Sequence, residues 1–216
     1  MPNTKKGENT KNTIINVSKK LFLIHGFDNV SLSDICKESN VKLGTLTYYF
    51  PKKSDIVKHL YNSYMNELQE FIDKKTKDKK QSEQYIYMVI FYYYFIYTNK
   101  KICKFHYEVM SHSSINKIFD DTSPIVKPLL EDETNKISKE DFELFVKADN
   151  AVRRELNLSF MEQVKEKNID SIFELIKSIH IVSAKLYNFS NELLFQYLNE
   201  GKEFLLKNIK CKISLL

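Results

Sequence analysis

Residues 31–50 read SLSDICKESNVKLGTLTYYF. Ser31 stands where a helix N-cap belongs, and Asp34, three residues on, can close a capping box. Val30 and Ile35 occupy the two positions of a hydrophobic staple. A short helix is therefore predicted from about Leu32 to Ser39. Asn40 follows, one of the few non-glycine residues that enter the left-handed region cheaply, and it marks a turn. A second short helix is predicted from about Lys42 to Phe50, ended by Pro51.

Upstream, Ile14, Val17, Ser18, Leu21 and Phe22 keep helical spacing from about Lys11, and Gly26 stops that helix. The polar dozen residues before it are expected to be disordered. Downstream, helices are predicted near 54–75, 82–98, 100–112, 139–166, 169–189 and 191–209. The connection 111–138 carries Pro124 and Pro128 and is expected to hold one or two short helices. No strand alternation and no fixed repeat emerges. The predicted fold is all-α, a three-helix unit with helix-turn-helix spacing followed by a larger helical domain, divided as 1–53 and 54–216.

Composition narrows the chemistry. The chain has four scattered glycines, Gly7, Gly26, Gly44 and Gly201, whereas a phosphate-binding loop, a dinucleotide fingerprint or a nucleophile elbow needs clustered ones. Cys36, Cys103 and Cys211 lie far apart, as reduced thiols in a cytoplasm would. The polar N-terminus lacks the apolar stretch of a signal peptide, and the longest apolar run, Tyr85 to Tyr97, is too short to span a bilayer. A cytoplasmic protein with no membrane partner is expected. The histidines lack metal-ligand spacing, no nucleophile or acid–base constellation is visible, and neither a cofactor nor an enzymatic activity is expected.

Charge is concentrated. Residues 1–60 hold ten lysines against five acidic residues, an excess equal to the net charge of the whole chain, +5. A basic front end on a neutral body implies an anionic partner for the front end. On the second short helix Leu46 and Phe50 can pack inward, which leaves Lys42, Leu43, Gly44, Thr45, Thr47, Tyr48 and Tyr49 for an outer surface. Threonine methyls suit thymine methyls, and hydroxyls and lysines suit base acceptors or phosphate oxygens. Ser31 and Ser33 at the preceding helix start, with Lys53 beyond Pro51, complete the candidate set for double-stranded DNA. The competing reading makes Tyr48 and Tyr49 plain core.

With Leu21-Phe22, Gly26-Phe27, Ser31, Asp34-Ile35-Cys36, Val41, Gly44-Thr45-Leu46, Tyr48-Tyr49-Phe50 and Lys53 in place, residues 14–57 resemble the N-terminal domain of TetR-family transcriptional regulators. Asn40, Cys36, Lys42 and Thr47 depart from the family's usual Gly, Ala, Ser and Tyr. The resemblance implies a homodimeric DNA-binding regulator, most often a repressor, whose larger domain binds a small molecule. The alternative is a small-molecule-binding or protein-interaction module with weak or no DNA binding.

In the larger domain, the helical stripes Ile172, Ile176, Ile179 and Ser183, and Leu194, Tyr197 and Leu198, are the expected dimer interface, with packing inside the monomer as the alternative. The run YIYMVIFYYYFIY at 85–97 is apolar nearly all round. Tyr93, Tyr94 and Tyr97, with Phe105, Tyr107 and Met110 on the next helix, are the candidates for lining a pocket for an apolar or aromatic effector.

Overall fold

The structure is a computed structural model that describes residues 5–112 and 138–216. Among the described residues it holds α1 (Lys5–His25), α2 (Leu32–Ser39), α3 (Leu43–Tyr49), α4 (Lys53–Lys75), α5 (Gln81–Tyr97), α6 (Lys100–Ser111), α7 (Lys139–Gln163), α8 (Ile169–Leu186) and α9 (Asn191–Asn208), with no strand. Most of the connection around Pro124 and Pro128 lies outside the described residues. No helix described is long and apolar enough to cross a membrane.

Local chemistry sets the front end. Ser31 Oγ accepts from Asp34 N at 3.1 Å while Asp34 Oδ2 accepts from Ser31 N at 2.8 Å, so the predicted capping box closes. Val30 and Ile35 are buried as the staple requires. Asn40 takes φ 52°, and its N–H returns to Cys36 O and Lys37 O, which ends α2 and sets the tight turn into α3. Ile14, Ser18 and Phe22, one turn apart, form the buried stripe of α1. One expectation fails here: α1 begins at Lys5 rather than near Lys11. The Thr10 and Thr13 hydroxyls bond back to Lys6 O and Asn9 O, and Gly7 alone does not interrupt an otherwise breaker-free run.

The larger part is organised around α5, which packs on α4, α6, α8 and α9. Its positions Tyr85 to Phe91 are all buried, as an apolar helix without a solvent face must be. Gly201 lets α9 approach: a Cβ there would stand 2.5 Å from Ile90 Cδ1 and 2.9 Å from Tyr87 Cδ1. The stripes expected at a dimer interface are used up in this core. Ile172, Ile176, Ile179, Ser183, Leu194, Tyr197 and Leu198 are all buried within the single chain, because α8 and α9 turn them toward α5 and each other. The faces of these two helices left open to a second copy are the outer ones.

Candidate nucleic-acid interface

α3 is anchored by one face and open on the other. Leu46 is fully buried and Phe50 nearly so. Opposite them Tyr48 is 63% exposed and Gly44 is exposed, and Leu43, at the helix start, is 53% exposed with Thr45 exposed as well. Tyr49 is half-buried, its ring 5.1 Å from that of Tyr48 in an edge-on contact. Lys42 before the helix and Lys52 after it are exposed, as is Ser33 at the start of α2. Seven residues of the expected set, Ser33, Lys42, Leu43, Gly44, Thr45, Tyr48 and, in part, Tyr49, are thus accessible to a partner.

Three others have intrachain work. Ser31 Oγ donates to Asp34 Oδ2 at 2.6 Å as well as capping α2, and these bonds hold the Asp34 carboxyl below its ordinary pKa. Thr47 Oγ1 donates to Leu43 O at 3.0 Å, so mainly its methyl is left for a partner. Lys53 Nζ donates to Phe27 O and Val30 O, both at 2.7 Å, and sits 3.9 Å from the centre of the Phe27 ring. Burial draws its pKa below the ordinary lysine value, with the Asp28 and Glu108 carboxylates opposing. Lys53 therefore pins the α1–α2 loop to the start of α4. Its bonds are to backbone carbonyls, and a phosphate would have to displace them.

The other side of the same loop is held by α6. The Glu108 carboxylate accepts from Phe27 N and, at 3.2 Å, from Asp28 N, while His112 Nε2 stands 2.6 Å from Asp28 Oδ1. Gly26, at φ 83°, leaves room for this: a Cβ there would stand 2.5 Å from Glu108 Oε2. Phe22, Phe27 and Phe105 pack ring against ring behind it.

Sequence reasoning missed one feature of the candidate interface. The first turns of α1 and the α2–α3 turn flank a shallow, largely open groove of about 520 Å³, lined by Lys5, Lys6, Asn9, Thr10 and Thr13 with Ser39 and Val41. Its signal was present in the sequence, as paired lysines on a segment without proline after residue 2, but reading that segment as disordered hid it.

The expected pocket residues fall into separate environments. Tyr93 and Tyr97 stack at 5.8 Å, and Asn157 joins their hydroxyls, accepting from Tyr97 and donating to Tyr93 OH at 3.2 Å. Tyr94 is half-buried against Phe95. Tyr107 OH donates to Glu162 at 2.9 Å, and Met110 is buried with its carbonyl accepting from Arg154. Phe105 is a correction: fully buried against Phe22, Phe27 and Tyr61, it belongs to the core seam between α1, α4 and α6. Among the described residues no group of three His, Cys, Asp or Glu side chains could hold a metal ion.

Residues 14–60 match the family described as bacterial regulatory proteins, tetR family. A sequence comparison with curated proteins gives no match. Among solved structures, FadR of Thermus thermophilus, a TetR-family transcriptional repressor in complex with lauroyl-CoA, superposes with a TM-score of 0.58 at 14% identity over 79% of this chain and 93% of that one. RolR in complex with resorcinol gives 0.57 at 16% identity, covering 92% and 94%. A tetR-family regulator from Streptomyces coelicolor gives 0.54 at 14%, covering 93% and 89%. Residues 14–60 thus carry the N-terminal match to the tetR family of bacterial regulatory proteins, and the chain as a whole shares the fold of solved TetR-family transcriptional regulators.

Proposed function

We propose that the chain is a DNA-binding transcriptional repressor that lays α3 in the major groove and is released by a small-molecule effector. One observation carries the reading: the outer face of α3 is built for something outside the chain. Gly44 supports this best. Its φ is not positive, and a Cβ placed on it would meet nothing within 4 Å, so neither the backbone nor packing calls for glycine. Glycine inside a helix costs about 1 kcal/mol relative to alanine. A close approach of the backbone by an external partner accounts for that cost, and the exposed Leu43, Thr45 and Tyr48 around it suit base edges and sugar–phosphate. Lys42 and Lys52, together with Lys5 and Lys6 in the groove beside them, supply the phosphate contacts.

A two-fold homodimer would present two copies of α3 to an inverted repeat, roughly 34–36 Å apart along the duplex. We divide the chain at residue 53, with α4 reaching across the division. Its Ile56, Val57 and Leu60 are buried near the front end, while Tyr61 stacks on Phe105 and Tyr64 bonds Tyr92 O in the larger domain. Lauroyl-CoA in FadR and resorcinol in RolR support a small molecule as the effector in this fold. A coupling of about 1–3 kcal/mol between effector and DNA sites suffices for a 5–150-fold change in DNA affinity.

The test is selection of genomic DNA fragments by the purified protein, with footprinting of the enriched sites at two salt concentrations. Protection of an inverted repeat whose affinity falls steeply with salt is expected, since each neutralised phosphate releases counterion. Failure to enrich any fragment would overturn the reading in favour of a binding module without DNA.

A further inference from the structure

Asp149 and Arg153 lie one turn apart on α7 and are withdrawn from solvent where α7 meets α8, with side chains 1% and 14% exposed. Arg153 Nε donates to Asp149 Oδ2 at 2.8 Å, and its Nη2 donates to Ser183 Oγ at 3.0 Å and Tyr85 OH at 3.3 Å. Ser183 Oγ in turn donates to Asp149 Oδ1 at 2.5 Å. The cluster is closed and its formal charges cancel. Apolar residues of similar volume would serve the fold as well, because burying both charges offsets most of their attraction.

Two further groups lie in the field of the same pair and have no hydrogen-bond partner among the described residues: His180 Nε2 and Tyr187 OH. Both residues are 1% exposed. His180 Nδ1 is 2.7 Å from Ile176 O, and a carbonyl only accepts, so Nδ1 carries the proton and Nε2 presents a lone pair. Burial first, and then the Arg153 charge, draws the imidazole pKa down to about 3 and keeps the ring neutral. Tyr187 OH keeps its proton, since burial and then Asp149 push its pKa up. Buried polar atoms without partners are rare, and each calls for a water, an ion or a ligand. Here one is an acceptor and the other a donor.

We propose that Tyr85, Asp149, Arg153, His180 and Tyr187 form the polar anchor of the effector site, and that it takes a neutral, hydroxyl-bearing aromatic molecule. The proposal deepens, and rests on, the reading of the chain as an effector-responsive regulator. A guest hydroxyl donates to His180 Nε2 and accepts from Tyr187 OH, satisfying both groups. A carboxylate cannot donate to Nε2, and a carboxylate or an ammonium alike would be buried without a counter-ion, because Asp149 and Arg153 already neutralise each other. The Tyr85 ring, 6.1 Å from that of His180, and the Phe145 ring, 6.3 Å from that of Tyr187, offer aromatic surfaces.

The test is calorimetric titration of the DNA-free full chain with phenol, 4-ethylphenol, benzoate and benzylamine. The two phenols are expected to bind and the two charged compounds not. Tyr187→Phe keeps the ring and is expected to weaken phenol binding roughly fivefold to tenfold, the worth of one hydrogen bond. The melting temperature of the ligand-free variant is expected not to fall. Benzoate or benzylamine binding as tightly as the phenols, no binding by any of the four, or an unchanged phenol affinity in Tyr187→Phe each overturns the proposal. So does a lower melting temperature of that variant, which would mean that a buried water already satisfies these groups. DNA binding is measured separately at two salt concentrations: DNA binding without phenol binding sinks this proposal alone, and phenol binding without DNA binding sinks the regulator reading alone.

Discussion

Lys42 and Lys53 are both lysines of the basic front end, yet their ammonium groups do different things. Lys42 is exposed before α3, whereas Lys53 is drawn onto Phe27 O and Val30 O and over the Phe27 ring. Lys42→Ala is expected to reduce the slope of log affinity against log salt by about 0.9. Lys53→Met is expected to leave that slope unchanged and instead lower folding stability by about 1–3 kcal/mol, since two part-buried carbonyls lose their donor. Salt-dependent DNA titrations and urea denaturation of the two variants check this, and equal slope losses would return Lys53 to the phosphate contacts. Gly44→Ala should separate stability from binding. Its Cβ enters open space, so the helix should gain about 0.5–1 kcal/mol while DNA affinity falls. A variant that gains stability and keeps full affinity would remove the argument for close backbone approach. In the sequence, Lys53 could not be told from Lys42, because its carbonyl partners lie 26 and 23 residues away and converge only through the loop conformation that Gly26 permits.

Elements were legible in proportion to how local their causes are. α2 and the turn after it follow from Ser31, Asp34 and Asn40, whose bonds all close within five residues, and they appear where the sequence placed them. α8 and α9 were equally legible as helices, but a hydrophobic stripe records that a face is covered and not by what. α5 covers it here, being buried on nearly every side. The buried histidines of α6 and α8 were invisible for the same reason. His106 lies 2.5 Å from Tyr61 OH through Nδ1, and burial lowers the pKa of both His106 and His180 to about 3. Their sign is definite: in the unfolded chain an imidazole takes its proton near pH 6.5, whereas in the fold it stays neutral until far lower pH. The stability they contribute is complete above about pH 6.5 and is lost as pH falls toward 3. Each is worth about 1.4 kcal/mol per pH unit across that window, or about 2 kcal/mol by pH 5. Urea denaturation at pH 7.5 and 5 is expected to show this loss, and the double variant His106→Gln, His180→Gln to show most of it gone. An identical pH slope in wild type and variant would mean that water reaches these rings.

At the scale of the whole molecule, the question is where two copies would meet, since a proposed inverted repeat asks for a two-fold protein. The inward stripes of α8 and α9 are spent on the monomer, and we take the outer seam of the same two helices as the surface where a second copy would dock. It is not a purely polar face. Phe195 is 38% and Leu206 53% exposed on α9, three turns apart along one side, and Phe173 of α8 is half-buried next to them. Lys177 of α8 lies 5.8 Å from the Phe195 ring centre, and Lys202 of α9 lies 4.9 Å from that of Phe173 and 2.8 Å from Asp170 Oδ1. Apolar residues bridged by long amphipathic lysines suit a helix-pair interface that excludes water at its centre and keeps charge at its rim. Phe195→Asp with Leu206→Asp is therefore expected to yield a monomer by sedimentation with melting nearly unchanged, and to weaken operator binding at least tenfold, because one α3 cannot hold two half-sites. Ile176→Ala, on the inner stripe, is expected to act in the opposite way, costing about 2–5 kcal/mol of folding stability for a cavity in the core. A double aspartate variant that remains dimeric would place the two-fold contact on some other face, and a dimer lost only together with folding would show that the inner stripes serve both purposes after all.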